Sequence, residues 1–369
     1  MADMPRIFKA TAEIVLPSPG VTMRRLCERF SEFGAVSGQG RCRRIETGFG
    51  IADVEACGRC LKICAAGKDE VALAYVKLSM AEHLLTLTET TPSIVWEGDG
   101  MAGAPLPYFR EMRVKKAVNI TPRMRRLTLV GENLQRFAHG GYHVRLLIPK
   151  PGDTVPRWPV MGADGRPLWP AGEDRPDIRI YTLRRIDAEA GEVDIDFVLH
   201  DGAETPGARF AGTAQPGDVV GMTGPGGGTA PEADWILLLG DETALPAIAR
   251  ILAELPTTTT AVVRMEVADE DERQPLPTKA RLDLRWLYRS RKHAEETPPA
   301  RLSDTLSEVE WPTDARPIFA WAGCEFEAFR KIRRHLRQDL GLKREQHLVT
   351  AYWRHGFAGD DARGAKEDA

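Results

Sequence analysis

Arg179-Ile180-Tyr181-Thr182-Leu183-Arg184-Arg185, followed by Val193-Asp194-Ile195-Asp196-Phe197-Val198-Leu199-His200, is the stretch whose reading decides the fold. Val193, Ile195, Phe197 and Leu199 alternate with polar residues, the period of a strand with one buried face. Further on, Gln215-Pro216-Gly217-Asp218 is a tight turn, because Pro fixes one φ and Gly is free to take positive values. Gly224-Pro225-Gly226-Gly227-Gly228 closes the stretch. The region reads as antiparallel strands joined by turns. Two residues apart on such a strand, Arg179 and Tyr181 share a face. A guanidinium that pairs a phosphate bidentately, beside a phenol that stacks on a ring, suits a phosphate-bearing aromatic ligand. A strand edge with surface arginines explains Arg-x-Tyr-Thr when it stands alone.

It does not stand alone. A continuous apolar run, Trp235-Ile-Leu-Leu-Leu239, feeds Gly240-Asp241-Glu242-Thr243-Ala244-Leu245-Pro246-Ala247-Ile248, and Tyr352-Trp353-Arg354-His355-Gly356 lies near the end. With the Arg-x-Tyr-Thr strand, the Asp-Phe-Val-Leu-His strand and the glycine-rich turn, this series resembles siderophore-interacting proteins. Those are FAD-dependent ferric-siderophore reductases of the ferredoxin-reductase-like class, and the resemblance spans roughly residues 108–357. It implies an antiparallel Greek-key β-barrel FAD domain over 108–230. Strands are expected within 120–130 and at 142–148, where His143-Val144-x-Leu146 fits the family, and a long Pro/Gly-rich loop at 150–175. Beyond 230 the pattern itself changes to strands alternating with helices: strands at 235–239, 261–267, 284–287 and 318–322, helices at 244–255 and 325–340. That is a parallel layer, the α/β Rossmann-like NAD(P)-binding domain expected over 231–358.

The resemblance also assigns residues. Arg179, Tyr181 and Thr182 are expected on FAD, with Val198, Leu199 and His200 at the next strand end; His200 on its own reads more readily as a loop histidine. The family's G-P-A-S-x-W-A appears as Pro206-Gly207-Ala208-Arg209-Phe210-Ala211, so Ala208 replaces a serine hydroxyl and Phe210 a Trp. Backbone N–H groups around Gly207 and a following helix start would hold the pyrophosphate. Gly240, Asp241, Glu242 and Thr243 form a strand-to-helix turn expected to bind NAD(P)H. Gly323 with Cys324 or Glu325 would stand beside the nicotinamide. The acidic run Asp269-Glu270-Asp271-Glu272 would repel a 2′-phosphate and leans to NADH; a solvated loop explains it as well. Ferric siderophores are often anionic, so Arg184 and Arg185 are the expected substrate contacts, with Lys279 and Arg289 behind them. Neighbours on a strand point to opposite faces, so only one of the pair can face the cleft, and the family pattern favours Arg184.

No catalytic acid or nucleophile is required; the cofactors, FAD with NADH or NADPH, carry the electrons. The implied activity is an NAD(P)H-dependent ferric-siderophore reductase that reduces chelated Fe(III) to Fe(II). Two alternatives are a general NAD(P)H:flavin oxidoreductase or donor to a protein partner, and a non-enzymatic iron-chelate or redox-sensing module.

At 369 residues the chain exceeds one average domain. Fifty basic against 53 acidic side chains leave a net charge of −3, which speaks against nucleic acid and anionic membranes as partners. No apolar run reaches the roughly 20 residues of a membrane span, and no signal-peptide core opens the chain, so a cytoplasmic monomer is expected. Residues 1–97 read as a small α+β domain of unknown function, resembling one found fused ahead of this family. Helices are expected over 22–33, with Leu26, Phe30 and Phe33 on one stripe, and over 69–87, and a strand over 61–65. Residues 97–107 are Gly/Pro-rich and read as a linker, and 359–369 as a disordered tail. Five of six cysteines fall in this first unit. Cys57-x-x-Cys60 with Cys42 and Cys64 has the look of a metal set, but Cys60 and Cys64 on a strand read better as small buried hydrophobes.

Overall fold

The computed structural model describes residues 6–199, 205–290 and 301–357, and these divide into two units. The expected tail at 359–369 and His200 lie outside the described residues. In the first unit, strands β1 (Phe8–Val15), β2 (Ala35–Ser37), β3 (Cys42–Glu46), β4 (Gly50–Cys57), β5 (Cys60–Gly67) and β6 (Trp96–Gly98) form one antiparallel sheet, ordered β2-β3-β4-β5-β1-β6. Helices α1 (Pro19–Phe30) and α2 (Glu70–Leu87) cover one face of it, burying Ile14, Leu26, Phe30, Ile45, Val54, Leu61, Ile63 and Leu84. The α1 stripe stops short of expectation. The helix ends at Phe30, so Phe33 falls beyond it and is 55% exposed. Asp69 caps α2 by accepting from Ala72 N at 2.7 Å. α2 is apolar all round because it is buried on two sides. One face meets the sheet; the other, with Val71, Ala74 and Tyr75, meets Leu106, Tyr108 and Met161.

The second unit holds a closed six-stranded antiparallel barrel and a parallel sheet. The barrel strands are β7 (Phe109–Thr121), β8 (Met124–Val130) and β9 (His143–Ile148). After a short hairpin, β10 (Val160–Met161) and β11 (Pro167–Leu168), come β12 (Asp177–Asp187), β13 (Glu192–Val198) and β14 (Val219–Gly226). Helix α3 (Pro206–Thr213) lies between the last two. Val193, Ile195 and Phe197 fill the barrel, as the alternation requires. Their neighbours Asp194 and Asp196 are buried too, held by Arg185 and Arg126. The parallel sheet, ordered β17-β16-β15-β18-β19, is built from β15 (Trp235–Asp241), β16 (Thr260–Val267), β17 (Arg281–Tyr288), β18 (Ile318–Glu325) and β19 (His347–Trp353). Helices α4 (Leu245–Glu254) and α5 (Phe326–Arg334) accompany it.

Two expectations need correction. Residues 97–107 are not a free linker: β6 pairs with β1, Lys77 Nζ donates to Gly100 O at 2.6 Å, and Leu106 and Tyr108 are buried. The span 155–176 is not a simple loop on the barrel but belongs to the first unit. Met161 of its hairpin packs with Ala74, Leu106 and Tyr108, and Trp96 Nε1 donates to Asp164 O at 2.9 Å.

Candidate functional site

β12 sits between β9 and β13, in the register Arg179↔Leu146, Tyr181↔Val144 and Thr182↔His143. Tyr181 packs on Phe197 with ring centroids 4.3 Å apart, and burial pushes its phenol up, against the lowering effect of the Arg179 guanidinium. The two therefore share a face, as the spacing requires. Arg179 donates to Ile178 O at 2.7 Å and makes no ion pair among the described residues, which leaves its charge available. Thr182 is buried beside them.

The start of α3 is pressed against the same tyrosine. A Cβ on Gly207 would stand 1.8 Å from Tyr181 Oη, so only glycine fits. Thr205 caps the helix by accepting from Ala208 N at 3.4 Å, which occupies one of the donors expected for a ligand. Phe210 is half-buried against the barrel core.

The two arginines after the motif part company at a bulge, where the register jumps from Leu183↔Ile195 to Arg185↔Asp194. Arg185 donates to Asp194 at 2.7 Å and Glu192 at 3.3 Å, so it belongs to the barrel wall and not to a substrate site. Arg184, the bulged residue, has no ion pair among the described residues, and its Nε is buried without a hydrogen-bond partner. Burial first, then neighbouring Arg126, holds its pKa below the usual range. Lys279 is exposed just before β17, at the opposite sheet edge from the cleft described next, roughly 25 Å away along an eight-residue strand. It is not a substrate contact by position.

A cleft of about 640 Å³ opens where the carboxyl ends of the parallel strands meet the barrel. The barrel supplies Arg123, Val198 and Leu199; the sheet supplies Asp241, Glu242, Thr243, Glu266, Cys324 and Glu325, with Arg289, Lys331 and Trp353 around them. β15 has β16 on one side and β18 on the other, both parallel, so this is the topological switch point where open α/β sheets take ligands. Gly240 pairs with Gly323, which brings the two expected nucleotide segments together. A Cβ on Gly240 would meet Ala244 Cβ and Ile248 Cδ1 at 2.8 Å, so glycine lets α4 close on the strand.

Within the cleft the roles differ from the sequence reading. Both Asp241 oxygens are taken: Oδ1 accepts from Thr243 N (2.9 Å) and Thr243 Oγ1 (2.5 Å), Oδ2 from Glu325 N (3.0 Å) and Trp353 Nε1 (2.8 Å). Burial pushes its carboxyl up to about 6. Asp241 thus ties the ends of three strands and is a positioning residue. Glu325 caps α5, accepting from Glu327 N at 2.5 Å, while Cys324 is buried and its thiol pushed up by burial. Arg289 lines the cleft but donates to Glu242 and to Glu266 (3.5 Å), so it is paired with carboxylates, not free for a siderophore. The start of α4 offers less than expected: Ala244 and Leu245 are buried, and Ala244 N donates to Asp241 O.

Sequence reading missed the residues that fix the barrel to the sheet. Glu272, from the acidic run, is buried and accepts from Thr121 Oγ1 at 2.5 Å and Arg123 N at 2.9 Å, so it does not face a nucleotide phosphate. Arg250 of α4 donates to Leu183 O at 3.0 Å and lies over the Tyr142 ring, whose hydroxyl donates to Glu254. His143 and Tyr352 bond at 2.6 Å. No local pattern marks these partners, which lie 67 to 209 residues apart. Among the described residues no group of three or more His, Cys, Asp or Glu is arranged to hold a metal ion, and no helix is long and apolar enough to cross a membrane.

Two family models match the chain: "Siderophore-interacting FAD-binding domain" over residues 113–229 and "Siderophore-interacting protein" over 233–356. The ferric vibriobactin reductase ViuB of Vibrio cholerae is 31% identical over 68% of this chain and 90% of its own. A siderophore utilization protein from T. fusca superposes with a TM-score of 0.55 at 36% identity, covering 69% of this chain and 96% of that one. The siderophore-interacting protein SipS from Aeromonas hydrophila gives 0.56 at 29% identity, over 70% and 96%.

Proposed function

Because the chain belongs to the siderophore-interacting protein family, we propose that it is an FAD-containing oxidoreductase that takes electrons from NADH or NADPH and reduces siderophore-bound Fe(III) to Fe(II). The observation that carries the reading is the conjunction of two sites within one unit. The Arg179–Tyr181–Thr182 strand lies on the barrel, and Val198 and Leu199 of the next strand open into the cleft at the sheet's switch point.

The residues present fit FAD. Arg179 makes no ion pair among the described residues, Tyr181 is half-buried on the same strand, and Gly207 lets the start of α3 close on the Tyr181 hydroxyl. When bound, FAD supplies the exchange between a two-electron donor and a one-electron acceptor. Arg179 would hold its phosphates, and Tyr181 with Thr182 would hold its ring. Asp241 holds the floor of the nucleotide cleft in shape. Arg184, which makes no ion pair among the described residues although Asp196 and Asp194 act on it electrostatically, attracts an anionic ferric chelate. The Fe(III) is substrate: after reduction, hard oxygen chelators hold Fe(II) far less tightly and release it.

The test uses purified protein with bound FAD. NADH or NADPH is added anaerobically with a ferric siderophore and a ferrous-specific chromogenic chelator. Fe(II) formed in step with nicotinamide oxidation is expected. Flavin that is reduced by the nicotinamide yet is not reoxidised by any ferric siderophore would overturn the substrate assignment.

A further inference from the structure

Cys57 ends β4 and Cys60 begins β5, joined by the two-residue turn Gly58-Arg59, with Gly58 at φ 57°. The two cysteines face each other in the register of the hairpin. Directly opposed residues on antiparallel strands have Cα atoms about 4.5–5.5 Å apart, within the roughly 4.4–6.8 Å that a disulfide spans. Their side chains lie on the sheet face that α1 and α2 leave uncovered, since the adjoining pair Ala56 and Leu61 points into the core. Cys57 is exposed and Cys60 half-buried, and both are free thiols.

We propose that Cys57 and Cys60 are a redox modification site, closing reversibly to a disulfide by exchange with an anionic low-molecular-weight disulfide of the oxidised-glutathione class. This goes beyond the reductase reading and does not rest on it. The other cysteines are placed differently. Cys27 is a buried residue of α1, and Cys64 lies four residues along β5 from Cys60, roughly 13 Å away. Cys42 faces Glu55, two residues along β4 from Cys57, so it is a diagonal neighbour and not the directly opposed partner. Arg41, which acts on Cys57 electrostatically, and Arg59, exposed in the turn, offer two cations to an anionic reagent against the one Glu55 carboxylate bonded to Cys57.

The exchange balances. The exposed Cys57 thiolate attacks one sulfur of the small disulfide, forming a mixed disulfide and expelling one small thiolate, which takes up a proton. Cys60 as thiolate then attacks Cys57 Sγ, forming the protein disulfide and expelling the second small thiol. Two electrons and two protons pass from the protein pair to the small disulfide. The Glu55 carboxylate accepts from the Cys57 thiol and raises its pKa, so the first exchange accelerates with rising pH. The ring closed is very short, so little chain entropy holds the bond shut and it reopens readily in excess thiol.

The test equilibrates the full-length protein in glutathione buffers of graded oxidised-to-reduced ratio, traps free thiols by alkylation and maps the peptides by mass. Cys57 and Cys60 are expected to lose two hydrogens together as the ratio rises, and to recover fully with dithiothreitol. Cys57→Ser and Cys60→Ser should each stop at a single mixed disulfide, while Cys64→Ser behaves as the parent. Alkylation of both cysteines at every ratio would overturn the proposal, as would a bond from Cys57 to Cys42. The parent map alone is decisive if a variant fails to fold.

Discussion

The Glu272 carboxylate accepts the Thr121 hydroxyl at 2.5 Å, with both side chains buried and 151 residues of chain between them. The same carboxylate takes Arg123 N, in the turn whose carbonyl receives Leu199 N, so one acid braces the barrel rim that faces the cleft. Glu272→Ala would leave two donors unpaired and should lower stability by about 1–3 kcal/mol. Urea unfolding of the full chain measures this. Glu272→Gln, which keeps one acceptor, should fall between, and equal stability of all three would remove the brace from the account.

Arg179→Ala removes the uncommitted cation of the flavin strand. FAD affinity should drop by about 1.5–3 kcal/mol, roughly tenfold or more, with the fold intact because Arg179 gives up only a bond to its neighbour's carbonyl. Equilibrium dialysis with FAD and far-UV circular dichroism separate the two effects. Parent-like occupancy would release Arg179 from the phosphate.

Arg184→Ala and Arg185→Ala should fail in different ways. Arg185 compensates the buried Asp194, so its loss lowers stability, by about 1 kcal/mol once screening at its half-exposed position is allowed for. Arg184 pairs with no acid among the described residues, and its removal should leave stability alone while slowing flavin reoxidation by ferric siderophore. Stopped-flow traces of the two half-reactions decide. Equal slowing of nicotinamide-driven reduction would show that the flavin itself had been disturbed.

Asp241 gives a pH signature. Its folded carboxyl titrates near 6, above the unfolded value of about 3.9. Between those values the native state keeps a proton that the unfolded chain has lost, so its contribution to stability falls as pH rises through this window and levels off above about 6. Melting temperatures from pH 4 to 7 should show that decline in the parent and lack it in Asp241→Asn. The variant should also be less stable at pH 7, since an amide cannot accept all four donors.

A chain beginning at Leu106 should aggregate. It retains Leu106, Tyr108 and Met161 but lacks Val71, Ala74 and Tyr75, which cover them. Replacing residues 155–176 by a short Gly/Ser bridge in the same truncated chain should restore solubility, judged by size-exclusion chromatography. A soluble first variant would show that the hairpin needs no cover.

Residues whose role is fixed by their immediate neighbours were legible in the sequence. The period of Val193, Ile195 and Phe197 gave a barrel strand, the two-residue spacing gave the shared face of Arg179 and Tyr181, and Gly240 marked the strand-to-helix turn. What escaped was set by distant partners. Asp241 lines the cleft, but its carboxylate is fixed by Trp353 and Glu325 from distant strands, and Glu272, in an acidic run, is buried against Thr121. Arg184 and Arg185 differ through a bulge that no composition signals. The 155–176 segment read as loop because the apolar partners of Met161 lie as far upstream as Val71.

The split of the first unit orders events during synthesis. Residues 6–109 emerge first, but their second layer on α2 is finished only when Met161 arrives, by which point β7, β8 and β9 are already made and β12 is not. At about 5–20 residues per second, the barrel strands wait seconds for the partner that closes them. The nascent chain passes back to the first unit at 155 and returns at Asp177, two residues before Arg179. A mutation that slows assembly of the hairpin against α2 would therefore act while β7, β8 and β9 still lack β12.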